Sequence, residues 1–466
     1  MRLESFLLQL KNGDGSLFRG SGCLWLGCIG LVSILLIRLA FSSPTIMTPD
    51  SELYLRLSDN LIINHCFSTS DVRTAECKPS WGHQPPGYTI FISFMKLLVG
   101  IDLAREAFAR KVVFVQAAVF ALAAMTALWA SYSWHKNIFA LLGSFSLLAL
   151  SPVTLAWPRW VLPETLAAAA GLLVFTVLFR SLKTQKMKVL ITGMAIAFAT
   201  FVRWDQIWLL VPAALCAFYL GGFLKGLRDT SIIGIITALP ILAMILRAAL
   251  VGLPLLPVSS AETDPYLARG VLVFFKKAAL TQEATSGFFW PLWSREYEGV
   301  AQRFNFNSII SSFNTARFHT LMDQISALPN GSPLPADTNA ELIELAEAAK
   351  MSGIGSTFSL TFHRAARMWT DKDTIFYSGW SSMPSAQMAE NLSHVYRIVL
   401  ILACLILLIR TRGAEFVLLV GLLSYVVLRT FFFASLAMIE IRYLMPMFPV
   451  MEIVIASLAF RERRRT

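Results

Sequence analysis

Long apolar runs decide what this chain can fold into. Leu141–Leu150 and Leu166–Phe179 carry no charge at all, and Ile29–Ala40 carries only Arg38. A soluble chain of comparable length is about a quarter charged. Here 15% of 466 residues are charged and 56% are hydrophobic, too little charge to cover so much surface. That excludes a soluble enzyme, a disordered chain and a disulfide-rich secreted domain. A multi-span membrane protein remains.

A membrane-crossing helix needs about 20 mostly apolar residues. Candidate segments lie near 21–41, 86–100, 111–133, 137–157, 160–180, 188–203, 206–222, 230–252, 393–410, 414–433 and 443–460. The first holds Trp25 and Arg38 and lacks a small-residue cleavage site, so it reads as an anchor rather than a cleaved signal. Lysine and arginine mark the cytoplasmic side. Arg2, Lys11 and Arg19, the loops Arg180–Lys188 and Lys225–Arg228, the turn Arg410–Arg412 and the tail Arg461–Arg465 all fall there. Both ends inside demand an even number of crossings, so one of the eleven segments does not cross. The suspect is 86–100, followed by Arg105, Arg110 and Lys111, which either dips and returns or lies along the surface.

The expected fold is all-α: a polytopic transmembrane helix bundle of ten to twelve segments, with outer-face loops and a small, mainly helical extramembrane region. The expected divisions are an N-terminal transmembrane module (1–252, with a first outer loop at 42–85), an outer-face region (253–392) and a C-terminal transmembrane module (393–466). Within the outer region, 336–352 repeats Leu342, Leu345, Ala346 and Ala349 at helical spacing, with Asp337 available as N-cap. The net charge of +11 does not point to nucleic acid. The two outer stretches hold 18 acidic against 13 basic residues, so the basic excess belongs to cytoplasmic loops and ends.

Cys66 and Cys77 lie in the first outer loop. On an oxidising face they form a loop-closing disulfide, and otherwise two free thiols. Four outer turns also collect charge: Asp50 and Glu52 after the first span, Arg159 and Glu164, Arg203 and Asp205, and Glu440 and Arg442. Charge at span ends is costly and often functional. Carboxylates deprotonate hydroxyls or amines, and arginines grip phosphate through a planar fork of donors. An enzyme with a lipid phosphate as leaving group needs both at headgroup level. The plainer reading makes each arginine an interfacial anchor and each acid a helix cap.

The order of these elements resembles GT-C glycosyltransferases, nearest the branch of protein O-mannosyltransferases and lipid A aminoarabinose transferase. Pro49-Asp50-Ser51-Glu52-Leu53-Tyr54 is similar to that branch's acidic motif. The short helix Leu57–Leu61, the entry Gln84-Pro85-Pro86-Gly87-Tyr88, the Arg203 turn, Arg442-Tyr443 and the basic-aromatic stretch His363–Trp369 fit its pattern. The resemblance implies transfer of a sugar from a polyprenyl-phosphate-linked donor to a lipid, glycan or protein acceptor, amid membrane lipids, on the periplasmic face of a cell inner membrane. It implies Asp50 as general base, with Glu52 either sharing that role or only capping the helix. Arg159, Arg203 and Arg442 would hold the donor phosphate. Tyr54, His83, Tyr88, Glu164 and Tyr443 would line the sugar or acceptor pocket. No cofactor is required. A divalent metal on Asp50, Glu52 and His83 stays open, since nothing in the spacing compels one. Two other classes fit a many-span chain: an O-antigen polymerase or ligase, which does not need the Asp50 motif, and a lipid or sugar flippase, which predicts internal repeats.

Overall fold

The computed structural model describes residues 45–68, 79, 85–100, 103–253, 255, 269–278, 291–292, 295–303, 310–312, 314–348, 350–351, 357–371, 384–436 and 438–460. The expected first span at 21–41 lies outside them, as do Cys77 and His83. Among the described residues six helices are long and apolar enough to cross a membrane: Arg105–His135, Glu164–Thr184, Trp204–Leu250, Asn391–Arg410, Gly413–Ser435 and Ile441–Ala459. A seventh candidate is the pair Ile138–Leu150 and Pro152–Arg159, bent by 51°. Their outward faces expose residues such as Leu122, Phe223, Leu246 and Ile409, the surface a lipid-facing helix presents. The chain is a polytopic helical membrane protein.

The structure divides into two compact units. The first comprises 1–244, 395–426 and 445–466, and the second 245–394 and 427–444. In the first, helix α1 (Pro49–Ile63) starts at a capping box. Thr48 Oγ1 accepts from the Ser51 amide at 3.2 Å, and Ser51 Oγ accepts from the Thr48 amide at 3.0 Å. The cap is therefore Thr48 with Ser51, not Glu52, and the helix takes in the whole acidic motif. Ser51, Tyr54, Leu55 and Ser58 form its buried stripe. Helix α2 (Pro86–Val99) packs on it: Ser93 Oγ donates to Ser58 Oγ at 3.1 Å, and Lys96 pairs with Asp59 and reaches the Leu55 carbonyl at 3.4 Å.

Helix α3 (Arg105–His135) has 31 residues. At 1.5 Å per residue it is far longer than the ~30 Å apolar core of a bilayer. Its first turns accompany α1 and α2: Arg105 pairs with Glu52, and Lys96 lies 5.7 Å from the Phe108 ring centroid. The C-terminal half of α2 thus packs on α1 and beside the first turns of α3. With 14 residues α2 is shorter than the helices of membrane-crossing length.

The remaining helices of this unit are α4 (Ile138–Leu150), α5 (Pro152–Ala156), α6 (Glu164–Thr184), α7 (Val189–Val202) and α8 (Leu210–Leu250). A 3-10 turn, Trp204–Leu209, precedes α8. Gly222 interrupts α8 with φ 68° and ψ −173°, dividing the two segments expected at 206–222 and 230–252. At the start of α2, a side chain on Gly87 would place its Cβ 2.5 Å from the Phe201 carbonyl oxygen, so the Pro-Pro-Gly entry permits α2 to butt against the end of α7.

The second unit holds α9 (Arg269–Ala278), α10 (Val300–Arg303), α11 (Thr315–Ser326), α12 (Ala336–Ala348) and α13 (Thr357–Thr370). Two short strands, β1 (Ile310–Ser312) and β2 (Lys350–Met351), pair antiparallel. Its core joins Val271, Phe274 and Phe275 to Phe318, Leu321, Ile325, Leu342 and Leu345. Phe274 stacks on Phe318 at 5.3 Å. Asp337 lies inside the first turn of α12 rather than capping it. The membrane helices α14 (Pro384–Arg410) and α15 (Gly413–Ser435) follow, and α16 (Phe448–Ala459) closes the chain.

Candidate functional site

The backbone just before α1 is stitched to the turn between α5 and α6. The Ile46 amide donates to the Arg159 carbonyl at 3.1 Å, and the Val161 amide donates to the Ile46 carbonyl at 3.3 Å, forming a parallel bridge between Ile46 and Trp160. Four residues beyond Ile46, Asp50 stands half-buried in the first turn of α1. Acids are favoured at that position by the helix dipole. Glu52 is two residues further, in the same first turn, and is engaged by Arg105 on a largely exposed surface.

Tyr54 and Tyr88 are both almost fully buried, their rings edge-to-face at 4.8 Å. Tyr88 OH donates to Gln116 Oε1 at 3.1 Å. Gln116 Nε2 in turn donates to the carbonyls of Pro158 at 2.9 Å and Trp160 at 2.5 Å. Arg159 itself is 5% exposed. Asp50's helix, the α2 entry and the Arg159 turn are therefore one hydrogen-bonded assembly.

Beside it lies an ionic cluster. Arg203, at the C-terminus of α7, donates through Nε to Asp205 Oδ1 at 2.9 Å and through a terminal nitrogen to Glu164 Oε1 at 2.6 Å. Arg203, Glu164 and Asp205 are each less than a tenth exposed. Burial opposes the guanidinium charge, but Asp205 and Glu164 outweigh it and hold Arg203 above its usual range. Arg203 also feels Tyr54 electrostatically. Glu164 begins α6, and its Oε2 is buried with no protein partner among the described residues. One oxygen of Glu164 is thus anchored on Arg203, and the other is not.

In the second unit, Arg442 pairs with Glu440 at 2.5 Å, donates to Tyr443 OH at 2.8 Å and lies 4.9 Å from that ring's centroid. Tyr443 stacks on Phe433 at 4.4 Å. Arg429 is fully buried, donates through Nε to the Tyr443 carbonyl at 2.7 Å and lies 5.5 Å from the Phe433 centroid. The basic-aromatic helix α13 packs against the same stretch: Trp369 Nε1 donates to Thr430 Oγ1 at 3.2 Å. On that helix, burial pushes the Arg364 guanidinium down to about 10.

Sequence reasoning missed Gln116, Arg429 and Glu452. Glu452 is fully buried in the last span, where it accepts from Tyr396 OH at 2.9 Å and from Thr154 Oγ1 at 3.1 Å. The signal was present, since a polar or ionisable residue inside an apolar run is rarely idle. Cys66 is disulfide-bonded, and its expected partner Cys77 lies outside the described residues. So does His83, the nitrogen ligand of the possible divalent metal. Among the described residues no group of three His, Cys, Asp or Glu side chains is placed to hold an ion.

No protein-family model and no curated protein matches the sequence. Among solved structures the chain is similar to the crystal structure of ArnT from Cupriavidus metallidurans bound to undecaprenyl phosphate. The TM-score is 0.39 and the identity 10%, over 90% of this chain and 77% of that one. A likeness at that level assigns neither family nor ligand.

Proposed function

We propose that the protein is an integral membrane glycosyltransferase. It moves a sugar from a polyprenyl-phosphate-linked donor to an envelope acceptor on the periplasmic face of a cell inner membrane. The observation that carries this reading is the Ile46–Trp160 bridge, which ties the helix bearing Asp50 to the turn bearing Arg159 and Glu164. A candidate base and candidate phosphate ligands are joined there through main-chain bonds, and this is the constellation that displacement of a lipid phosphate needs.

In the proposed reaction Asp50 takes the proton of an acceptor hydroxyl or amine. The acceptor's lone pair forms the new bond to the anomeric carbon as the bond from that carbon to the phosphate oxygen breaks. The lipid phosphate departs with the electron pair, with inversion at the sugar. Cationic donors contribute most where this charge develops. Arg159 takes that role. Arg203, held between two carboxylates, serves chiefly to fix Glu164, whose second oxygen orients the sugar. Asp50, at the position that matches the acidic motif of the family the sequence resembles, is the base. Tyr54 and Tyr88 support the pocket from behind.

The test is reconstitution of the full chain in liposomes with radiolabelled polyprenyl-phosphate sugars, alongside mass spectrometry of envelope lipids and glycans from a deletion strain. Donor consumption by the wild type, its loss in Asp50→Asn and a missing envelope sugar are expected. An unaltered envelope, with no lipid-phosphate sugar consumed, would discard the assignment.

A further inference from the structure

We propose that Gln116 is a positioning residue for this site, a strut that sets the Arg159–Glu164 turn against the helix carrying Asp50. The inference rests on the transferase reading for its purpose but not for its geometry.

A primary amide inside a long apolar helix is costly unless its groups are satisfied. Gln116 is fully buried in α3, and both ends of its amide are used. Its nitrogen donates to the Pro158 and Trp160 carbonyls, and its oxygen accepts from Tyr88 OH. The carbonyls of residues 158 and 160, in the turn closed by the Trp160 amide on the Trp157 carbonyl, accept from Gln116, while the intervening Arg159 carbonyl accepts from the Ile46 amide. Arg159 is gripped from both sides. The grip extends through Tyr88 to Tyr54, one helical turn from Asp50. A single amide thereby couples three elements: the turn carrying Arg159 and Glu164, the α2 entry, and the helix carrying the base. Glutamate cannot substitute, because a carboxylate would face the two carbonyls with no donor. Methionine keeps the volume and loses every bond. Displacement of about 1 Å at a reacting centre can cost on the order of 100-fold in rate, so a strut of this kind would show in turnover before substrate binding.

The experiment compares wild type, Gln116→Met, Gln116→Glu and Tyr88→Phe in nanodiscs. Amide hydrogen exchange is read at residues 45–50 and 158–164, and steady-state transfer is measured from a polyprenyl-phosphate sugar. Gln116→Met should speed exchange at the Ile46 and Val161 amides while exchange in α6 and α16 holds. It should lower kcat roughly 10- to 100-fold with donor KM within about 3-fold. Gln116→Glu should match or exceed that loss. Tyr88→Phe should give a smaller loss that is not additive with Gln116→Met. Unchanged exchange at both segments overturns the strut whatever the activity. Loosened exchange with full kcat overturns its positioning role. If the wild type consumes no lipid-phosphate sugar, the transferase reading falls, and the exchange data still decide whether Gln116 holds the turn.

Discussion

Arg203 donates to Glu164 at 2.6 Å across two helix ends, and both side chains are buried. The same guanidinium is held by Asp205, so it neutralises two acids at once. Removing it strands both. Arg203→Met is expected to cost about 3–5 kcal/mol, the range for breaking a buried ion pair from one side. Glu164→Gln, which keeps an acceptor for Arg203, should cost less than half of that. Thermal unfolding in detergent checks both, and equal losses would show that the cluster is not coupled as described.

Asp50 and Glu52 share one turn but not one environment. The helix is capped by Thr48 and Ser51, so neither acid is needed to start it. Asp50→Asn should leave membrane insertion and melting unchanged and abolish transfer. Glu52→Gln removes a mostly exposed ion pair with Arg105, worth about 0–1 kcal/mol, and should retain most activity. A reversal of the two activities would move the base to Glu52.

Arg429 lies under the Tyr443 carbonyl and beside Phe433. Its planar fork serves both the carbonyl and the ring, which a lysine ammonium cannot match. Arg429→Lys is expected to cost about 1–3 kcal/mol, the range for a buried polar group that loses its partner. Thermal unfolding in detergent reads this directly. An unchanged melting temperature in the lysine variant would show that charge alone suffices.

Glu452 accepts from neutral hydroxyls, those of Ser151, Thr154 and Tyr396. Glu452→Gln should therefore be tolerated within about 1 kcal/mol, since an amide oxygen accepts the same kind of bond. Glu452→Leu leaves these hydroxyls without their shared acceptor and should cost about 1–3 kcal/mol. Melting temperatures of the two variants, with activity as control, distinguish a hydrogen-bond anchor from a group whose charge is required.

Much of the membrane architecture was legible in the chain because apolar run length is a direct readout of bilayer thickness. Even the break between 206–222 and 230–252 was visible as two segments, and Gly222 supplies it. The packing around 86–100 was not legible. It depends on Lys96 finding Asp59 and on Glu52 finding Arg105, partners that hydropathy does not encode. At the site, the charged turns were visible as residues out of place, but their pairing was not. Nothing in the local sequence says that Arg203 will spend its donors on Glu164, or that Gln116 will reach the carbonyls on either side of Arg159. Such bonds join positions far apart in the chain, and spacing rules describe only neighbours.

The Ile46–Trp160 bridge also sets a timetable. The ribosome delivers Ile46 more than a hundred residues before the strand that receives it. At about 5–20 residues per second, that interval is several seconds or longer. Throughout it, the helix bearing Asp50 has emerged while its counterpart has yet to be made. The acid meets the arginine turn only after the fifth expected segment begins to insert. A nascent chain halted before that point would carry the complete acidic motif without the turn it docks on, so the proposed site is assembled during membrane insertion and not before it.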